Sequence, residues 1–207
     1  MKIAIFGASG TIGQRILKEA LSRGHQVTAV TRGSTKVDGV PSVPGDVLDA
    51  ASVAQAVKGT DVVINSVGPR PGDDPEMVPR AAHALIEGVK QAGVKRLLIV
   101  GGAGSLEVAP GVQLVDTPEF PQAWKGIANA HRDALAVYRK ADLDWTYFSP
   151  AIFIQPGERT GRYRLGGDEV LKDDKGDSKI SAEDYAIALL DEVENPKLGR
   201  KRVTVAY

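Results

Sequence analysis

The stretch that decides the fold is Gly7-Ala8-Ser9-Gly10-Thr11-Ile12-Gly13. It follows the apolar, strand-like run Lys2–Phe6 and opens the helical pattern Thr11–Arg23. In this spacing one glycine makes the tight turn, one lets backbone N–H groups approach a pyrophosphate, and one packs the helix against the strand. The helix amino terminus offers unpaired N–H donors and a positive dipole end to the phosphates. The stretch therefore predicts a dinucleotide-binding turn, with a plain structural turn as the alternative.

The residue after the second strand indicates which dinucleotide binds. An NAD site carries Asp or Glu there, about 20 residues beyond the loop, to hold the ribose 2′-hydroxyl. This chain has Arg32 at that point, and a guanidinium pairs with a 2′-phosphate. Lys36 could add a second positive charge. NADP is therefore the predicted cofactor, and a solvated strand-end charge is the alternative interpretation of Arg32.

Two further strand ends are predicted to contact the cofactor. The weak strand Ser42–Pro44 is followed by Gly45, Asp46 and Val47, and these would flank the adenine, with Asp46 accepting a hydrogen bond from its amino group. The next strand, 61–67, ends at Val67-Gly68, where the chain is expected to pass near the ribose of the cofactor.

Composition limits the class of protein. The chain has 207 residues, and its 26 Lys and Arg balance its 26 Asp and Glu, so a basic nucleic-acid surface is not expected. It has no cysteine, which excludes disulfide scaffolds and thiol catalysis and suits a reducing cytoplasm. No apolar run approaches the ~20 residues that a membrane helix needs. We expect a cytoplasmic protein with no membrane or nucleic-acid partner and one domain over residues 1–207.

Strand and helix patterns alternate along the first half of the chain. This rhythm indicates right-handed βαβ crossovers, and thus an α/β fold of the Rossmann type with a doubly wound parallel sheet. Further along, segments 101–125 and 150–180 are predicted to face the substrate, and 156–177 to form a hairpin or a lid. Other predicted strands are Gln26–Thr31, 95–100, 145–149 and 202–206; other predicted helices are 50–57, 80–92, 123–141 and one opened by Ser181 and Asp184.

Several stretches together carry a resemblance to the atypical NAD(P)-binding branch of the short-chain dehydrogenase/reductase superfamily. Besides the glycine loop they include LLIVGGAGS (97–105), LDWTYFSPA (143–151) and ISAEDYA (180–186). Within that branch the chain most resembles NAD(P)H-flavin reductases akin to the flavin and biliverdin-IXβ reductases, and NmrA-like redox-sensing regulators share the fold. The resemblance implies a seven-stranded Rossmann sheet with a small substrate-facing region formed by carboxy-terminal segments.

The superfamily's usual catalytic pair, Tyr-x-x-x-Lys, does not occur in this sequence. By the resemblance, the Tyr position falls at Trp124 and the Lys position at Ala128, while Tyr138 lies too late in its helix and is followed four residues on by Asp142. Reduction of a ketone needs a proton donor for the developing alkoxide, whereas a flavin chiefly needs its ring stacked on the nicotinamide. The sequence therefore favours a flavin-like or quinone-like acceptor, with FMN or FAD as a possible substrate.

Few other side chains are candidates for the chemistry. Ser105 and His131 are the catalytic candidates, although the first could be a turn residue and the second a hydrogen-bonded core residue. Phe153, Arg159 and Arg162 are the predicted substrate-binding residues, the arginines as a clamp for an anionic group or, alternatively, as the polar side of a hairpin.

The sequence thus predicts an NADPH-dependent reductase of a small-molecule acceptor, monomeric or homodimeric. The three histidines are dispersed and lack paired carboxylates, so no metal site is expected. The alternative is an NADP-binding sensor, similar to the NmrA-like regulators, that acts through protein contacts. Segment 101–122 could serve either function, as a lid or as a docking surface.

Overall fold

A sheet of eight strands carries the fold in the computed structural model, which describes residues 1–33, 35–69 and 72–207. The strands are β1 Lys2–Phe6, β2 Gln26–Thr31, β3 Ser42–Pro44, β4 Val62–Asn65, β5 Arg96–Val100, β6 Glu107–Ala109, β7 Val112–Gln113, β8 Asp144–Pro150, β9 Phe153–Gln155, β10 Arg164–Gly166, β11 Lys179–Ser181 and β12 Lys201–Ala206. The helices are α1 Thr11–Ser22, α2 Ala50–Ala56, α3 Met77–Gln91, α4 Gln122–Arg139 and α5 Ala182–Glu194.

The order of the strands confirms the predicted doubly wound topology. Across the main sheet they run β10-β12-β8-β5-β4-β1-β2-β3, and every pair is parallel except β10 with β12. Strands β2 and β3 lie on one side of β1 in the sheet, and β4, the next strand along the chain, lies on its other side. In such sheets ligands bind outside the carboxyl ends of the strands at this switch point. The predicted glycine loop lies there, directly after β1.

The sheet differs from the seven strands that the resemblance implied. The eighth strand, β10, is antiparallel to β12, and Arg164 lies opposite Ala206. Of the two structures predicted for segment 156–177, a hairpin or a lid, the hairpin is not observed, because its strand β10 pairs with β12. The segment adds an edge strand and then pairs with residues near β6, where the Glu107 amide donates to the Asp168 carbonyl at 2.8 Å. This segment and segment 101–125 hold each other through backbone hydrogen bonds.

Apolar side chains fill both faces of the sheet. Strands β4 and β5 are buried throughout, because helices cover both of their faces. One face packs against α1 and α5, and the other against α2, α3 and α4. Burial of each large apolar side chain contributes roughly 1.5–3 kcal/mol. The largest of these side chains are Phe6, Ile16, Leu85, Leu97, Tyr138, Tyr147, Phe148 and Tyr185.

Most predicted element boundaries lie within a few residues of the observed ones. Gly24 ends α1 with a φ of 79°, as its position predicts. Ser181 caps α5 by accepting a hydrogen bond from the Asp184 amide at 3.0 Å. In contrast, α3 begins at Met77, earlier than predicted. Within the described residues, no helix could cross a lipid bilayer and no side chains are grouped to hold a metal ion.

Candidate cofactor and acceptor site

The glycine loop is held so tightly that two of its glycines are required by packing. Gly7 has a φ of 77°, and a Cβ there would lie 2.7 Å from the backbone of Ser66. A Cβ on Gly13 would lie 2.1 Å from the carbonyl oxygen of Gly7. Contacts this short do not occur between real atoms, so both positions need glycine for α1 to approach β1 and β4.

Gly10 is less tightly enclosed than Gly7 and Gly13. A Cβ there would meet only the Gly7 carbonyl oxygen, at 3.3 Å. Gly10 is the N-cap of α1 and supplies no side-chain hydrogen bond, and Ser9 and Thr11 beside it are exposed. The helix amino terminus thus presents its N–H groups to the crevice, with Ile12 half-buried behind them. These residues fit a dinucleotide pyrophosphate.

Two residues at the end of β4 support the loop and were not singled out from the sequence. The Ser66 hydroxyl donates to the Phe6 carbonyl oxygen at 2.8 Å and so joins β4 to the loop. Asn65 is buried, and its Oδ1 accepts from the Val67 amide at 3.1 Å. The sequence does carry a signal for them, because Asn65 and Ser66 are two polar residues at the end of an otherwise apolar strand.

Arg32 lies directly beyond the end of β2, as the sequence predicts. Its side chain is exposed and, in the part of the chain that the structure describes, makes no hydrogen bond or ion pair. The turn that follows is fixed by the Thr31 hydroxyl, which donates to the Thr35 carbonyl at 2.7 Å. Lys36 is also exposed beside it. Two unneutralised cations at the strand end suit a phosphate better than a bare ribose.

The strand end after β3 places Asp46 and Val47 in different environments. Asp46 is exposed, and its carboxylate accepts from the Leu48 amide at 2.9 Å. Val47 is buried in the core beneath it, so its backbone rather than its side chain is the part that faces the predicted adenine position. Gly45 is needed because a Cβ there would lie 2.4 Å from Val30 Cγ1.

Val67 and Gly68 lie at the crevice beyond β4. Val67 is half-buried and lines a cavity of about 10 Å³, which His131 also lines. This volume is about that of a single water. Gly68 is exposed, and a Cβ there would meet nothing within 4 Å. The predicted path past the ribose is therefore open at Gly68, and the Val67 side chain separates it from the cavity.

His131 is held from one side by Tyr147. The Tyr147 hydroxyl donates to the carbonyl oxygen of His131 at 3.1 Å and lies 3.2 Å from its Nδ1. Burial lowers the pKa of His131 to about 4 and raises that of Tyr147, so both are neutral at physiological pH. Two glycines after β5 make room for the pair. A Cβ on Gly101 would lie 2.0 Å from the Tyr147 ring, and one on Gly102 would lie 3.1 Å from His131.

The face of α4 above His131 carries no acid-base pair. Trp124 is 61% exposed. Ala128 is buried against the loop after β5, since a Cβ on Gly104 would lie 2.6 Å from its own Cβ. A lysine at position 128 would have no room there. Tyr138 lies further down the same helix, fully buried beside Asn65, and burial raises its pKa.

Comparison with known proteins fits this geometry. The profile of the NAD(P)H-binding family matches residues 7–196. The chain belongs to this family. The match confirms NAD(P)H binding as the family property and, with the structural relatives, the resemblance to atypical short-chain dehydrogenase/reductases.

Three relatives cover almost the whole chain. YwnB of Bacillus subtilis is 46% identical over 99% of this chain and 98% of its own length. A Burkholderia pseudomallei protein, provisionally named an exported protein, shares 52% identity with a TM-score of 0.92 over 100% of both chains. A Streptococcus pneumoniae protein, provisionally named an NADH-flavin reductase, shares 34% identity with a TM-score of 0.91 over 100% of this chain and 99% of that one.

In this member of the family Ser105 is not placed as a catalytic group. It is buried, and its hydroxyl accepts from Arg202 Nη1 at 3.1 Å. Arg202 also holds Asp168 through its Nε, at 2.6 Å. These contacts join the loop after β5 to β12 and to segment 156–177. The hydroxyl therefore has a structural partner on the side of β12, which disfavours the predicted catalytic role of Ser105.

Two of the three predicted substrate-binding residues, Arg159 and Arg162, line one open cavity of about 710 Å³, whereas Phe153 lines a separate one. Phe153 is 70% exposed just beyond the end of β8. Arg159 pairs through Nε and Nη2 with the buried carboxylate of Glu19, at 2.9 Å each. Glu19 stands eight residues into α1, about 12 Å along the helix from the glycine loop. Arg162 is exposed in the same segment. The ion pair with Glu19 occupies the Arg159 guanidinium and so disfavours it as a clamp for an anionic group.

Proposed function

We propose that this chain is an NADPH-dependent reductase of planar conjugated acceptors such as flavins or quinones. When bound, NADPH supplies a hydride, and the acceptor gains that hydride and one proton from water to give its dihydro form and NADP⁺. The protein binds the two rings in contact and excludes competing reactions.

The chain's own residues have defined tasks in binding the cofactor. The amide groups at the start of α1 would hold the pyrophosphate above Gly10, where no protein atom fills the space. Arg32 would hold the 2′-phosphate and so favour NADPH over NADH. Asp46 would accept from the adenine amino group, as its exposed carboxylate allows.

One observation carries the choice of acceptor: the face of α4 at the crevice has no proton donor for an alkoxide. Trp124 and Ala128 occupy the two positions of the missing pair, and His131 is neutral because burial lowers its pKa to about 4. Ketone reduction depends on such a donor, which typically contributes 10²–10⁴-fold to the rate. Flavin and quinone reduction does not, since water supplies the remaining proton.

NADPH oxidation with a panel of acceptors tests the proposal. We expect oxidation with added FMN or a simple naphthoquinone, and none above background with aliphatic ketones or aldehydes. The Gly10→Val variant is the control for contaminating reductases, because it should fold and lose the activity with every acceptor. Turnover of ketones at rates comparable to those with FMN would overturn the proposed acceptor class.

A sensor acting through protein contacts is the other outcome of this experiment. The hairpin of β6 and β7 exposes Val108 and Val112, each at least 40% exposed, beside the crevice loops. Tight NADPH binding without turnover of any acceptor would favour that function. The reductase is preferred because the relative from Streptococcus pneumoniae carries a reductase name.

We also propose a cytoplasmic location and a monomeric or homodimeric state, with a small-molecule acceptor as the partner and neither nucleic acid nor membrane. The lack of cysteine and the balanced charge support these proposals. Light scattering on the eluting protein measures the oligomeric state. Cell fractionation tests the location, and recovery of the protein outside the cytoplasm would contradict it.

A further inference from the structure

An exposed tryptophan marks the end of the α4 face that borders the crevice. Trp124 leaves 61% of its surface to solvent, whereas the other tryptophan, Trp145, is 2% exposed. Tryptophan is highly buried on average, and its large ring is favoured where it can contact a ligand. The indole therefore offers a flat apolar surface that the rest of the fold does not cover.

The helix places this indole in line with His131. Positions 124, 128 and 131 recur with the spacing of a single helical face. Ala128 and His131 both contact the loop after β5, Ala128 at Gly104 and His131 at Gly102. Trp124 thus continues the same face beyond the loop. The Cα positions of Trp124 and His131 are separated by about 10 Å along the axis, which is the scale of a fused-ring molecule.

The contacts of His131 favour one of its two neutral tautomers. The hydroxyl of Tyr147 has one proton, and donating it to the His131 carbonyl leaves its oxygen as an acceptor toward Nδ1. This arrangement favours the tautomer in which Nδ1 carries the ring proton. Nε2 makes no hydrogen bond with the described residues. It is not enclosed by them either, so solvent or a ligand reaches it. It presents a lone pair and can only accept.

We propose that Trp124 and His131 form the acceptor subsite, in which the indole stacks on a planar fused ring and His131 Nε2 accepts a hydrogen bond from an N–H or O–H group on the ring's rim. This rests on the proposed function and narrows its acceptor class. A flavin, with an imide N–H, fits both features. A quinone without a donor at its rim uses only the indole.

Fluorescence tests the subsite without turnover. Trp124 is the exposed tryptophan and Trp145 is buried, so FMN titrated into protein saturated with NADP⁺ should quench the emission of Trp124. Trp124→Phe should reduce the fraction of the emission that FMN quenches, leaving only energy transfer from Trp145. Leu21→Ala removes an exposed apolar side chain from the far end of α1 and should leave the quench unchanged. An unchanged quenched fraction in Trp124→Phe would overturn the stacking role.

Kinetics separates this inference from the proposed function. Trp124→Ala should raise KM for FMN roughly tenfold or more, with the NADPH dissociation constant unchanged. His131→Phe should raise KM about tenfold for FMN and not for a quinone that lacks a rim donor. Unchanged KM in both variants would overturn the subsite and leave the reductase intact. If none of the acceptors supports NADPH oxidation by the wild-type protein, the proposed reductase function is overturned. The fluorescence quench by FMN still tests the subsite in that case.

The tautomer can be checked in the intact protein. The ¹⁵N shifts of His131 should show a protonated Nδ1 and an unprotonated Nε2 at neutral pH. A protonated Nε2 would overturn its role as an acceptor. Because this measurement needs no variant, it also covers the case in which His131→Phe does not fold.

Discussion

At the scale of single residues, two glycines of one loop are needed for different reasons. Gly13 is needed by the protein, because α1 packs so close to β1 that a Cβ would lie 2.1 Å from the Gly7 carbonyl oxygen. At Gly10 a Cβ would lie 3.3 Å from the same oxygen, a far milder contact, so we propose that the ligand is the main reason for glycine there. A motif read from sequence treats the two alike, and only the packing separates them.

We predict opposite outcomes for alanine at the two positions. Gly10→Ala should keep the stability of the wild type and lose most NADPH affinity, because the methyl group occupies the pyrophosphate's approach. Gly13→Ala should lower the free energy of unfolding by several kcal/mol, in the upper range for single substitutions. Urea denaturation and calorimetric NADPH titration measure the two effects. Equal loss of stability in both variants would contradict this division.

Arg32 is predicted to select the cofactor. Its guanidinium has no partner within the described residues, so a 2′-phosphate would gain a charge-assisted hydrogen bond of about 1.5–3 kcal/mol. Arg32→Ala should therefore weaken NADPH binding at least about tenfold and leave NADH binding unchanged. Arg200→Ala, at the other edge of the sheet and paired with Asp142, is the matched control. A wild-type protein that binds both cofactors equally would sink the prediction.

At the scale of elements, segment 156–163 is fixed across the outer side of α1 and α5. Arg159 binds Glu19 of α1, which Arg23 also contacts through Nε at 2.8 Å. Asp184 of α5, fully buried, accepts from the Thr160 hydroxyl at 2.6 Å and from the Gly161 amide at 2.8 Å. The arginine that the sequence offered as a substrate clamp therefore joins a loop to a helix.

This contact predicts a pH dependence of stability. Hydrogen bonds from Arg159, and then from Arg23, hold the pKa of Glu19 below its usual 4.5, although burial opposes them. The folded state thus favours the ionised form. The contribution of Glu19 is fully present above pH about 4.5 and is lost as the pH falls through the lower folded pKa.

Glu19→Gln should therefore lower the free energy of unfolding by about 2 kcal/mol at neutral pH, with the exposure of Arg159 limiting the effect. The difference from the wild type should shrink as the pH falls below about 4.5, because protonation then removes the same charge. Urea denaturation across this range measures it, with Glu119→Gln, an exposed carboxylate, as the control. A difference that grows on acidification would contradict the assigned shift.

The sequence predicted the long elements well and the short ones poorly, for a physical reason. Strands β1, β2 and β5 lie in the buried part of the sheet, and each can be recognised as a strand from its own local sequence. Strand β10 has three residues, and its pairing depends on β12, nearly 40 residues further along the chain. Such contacts leave no local pattern. The same holds for Ser105, whose partner Arg202 is distant in sequence.

At the scale of the whole molecule, strand order brings the candidate site together. The carboxyl ends of β1, β2, β4 and β5 meet at one edge, so the glycine loop, Arg32, Gly68 and the loop of Gly101 share a crevice. Spacing alone predicted the cofactor half of this crevice. The proposed acceptor half depends on how α4 packs on the loop after β5, which no motif describes. The sequence therefore offered His131 without its partner Tyr147.

The central claim is hydride transfer from NADPH to a stacked acceptor with water as the proton source, and isotope effects on a single turnover test it most directly. FMN reduction by the protein–NADPH complex should slow when NADPH carries deuterium at the transferred position. The rate should stay nearly unchanged in D₂O, because no side chain donates a proton in the rate-limiting step. A large solvent isotope effect, or none from deuterated NADPH, would contradict the account.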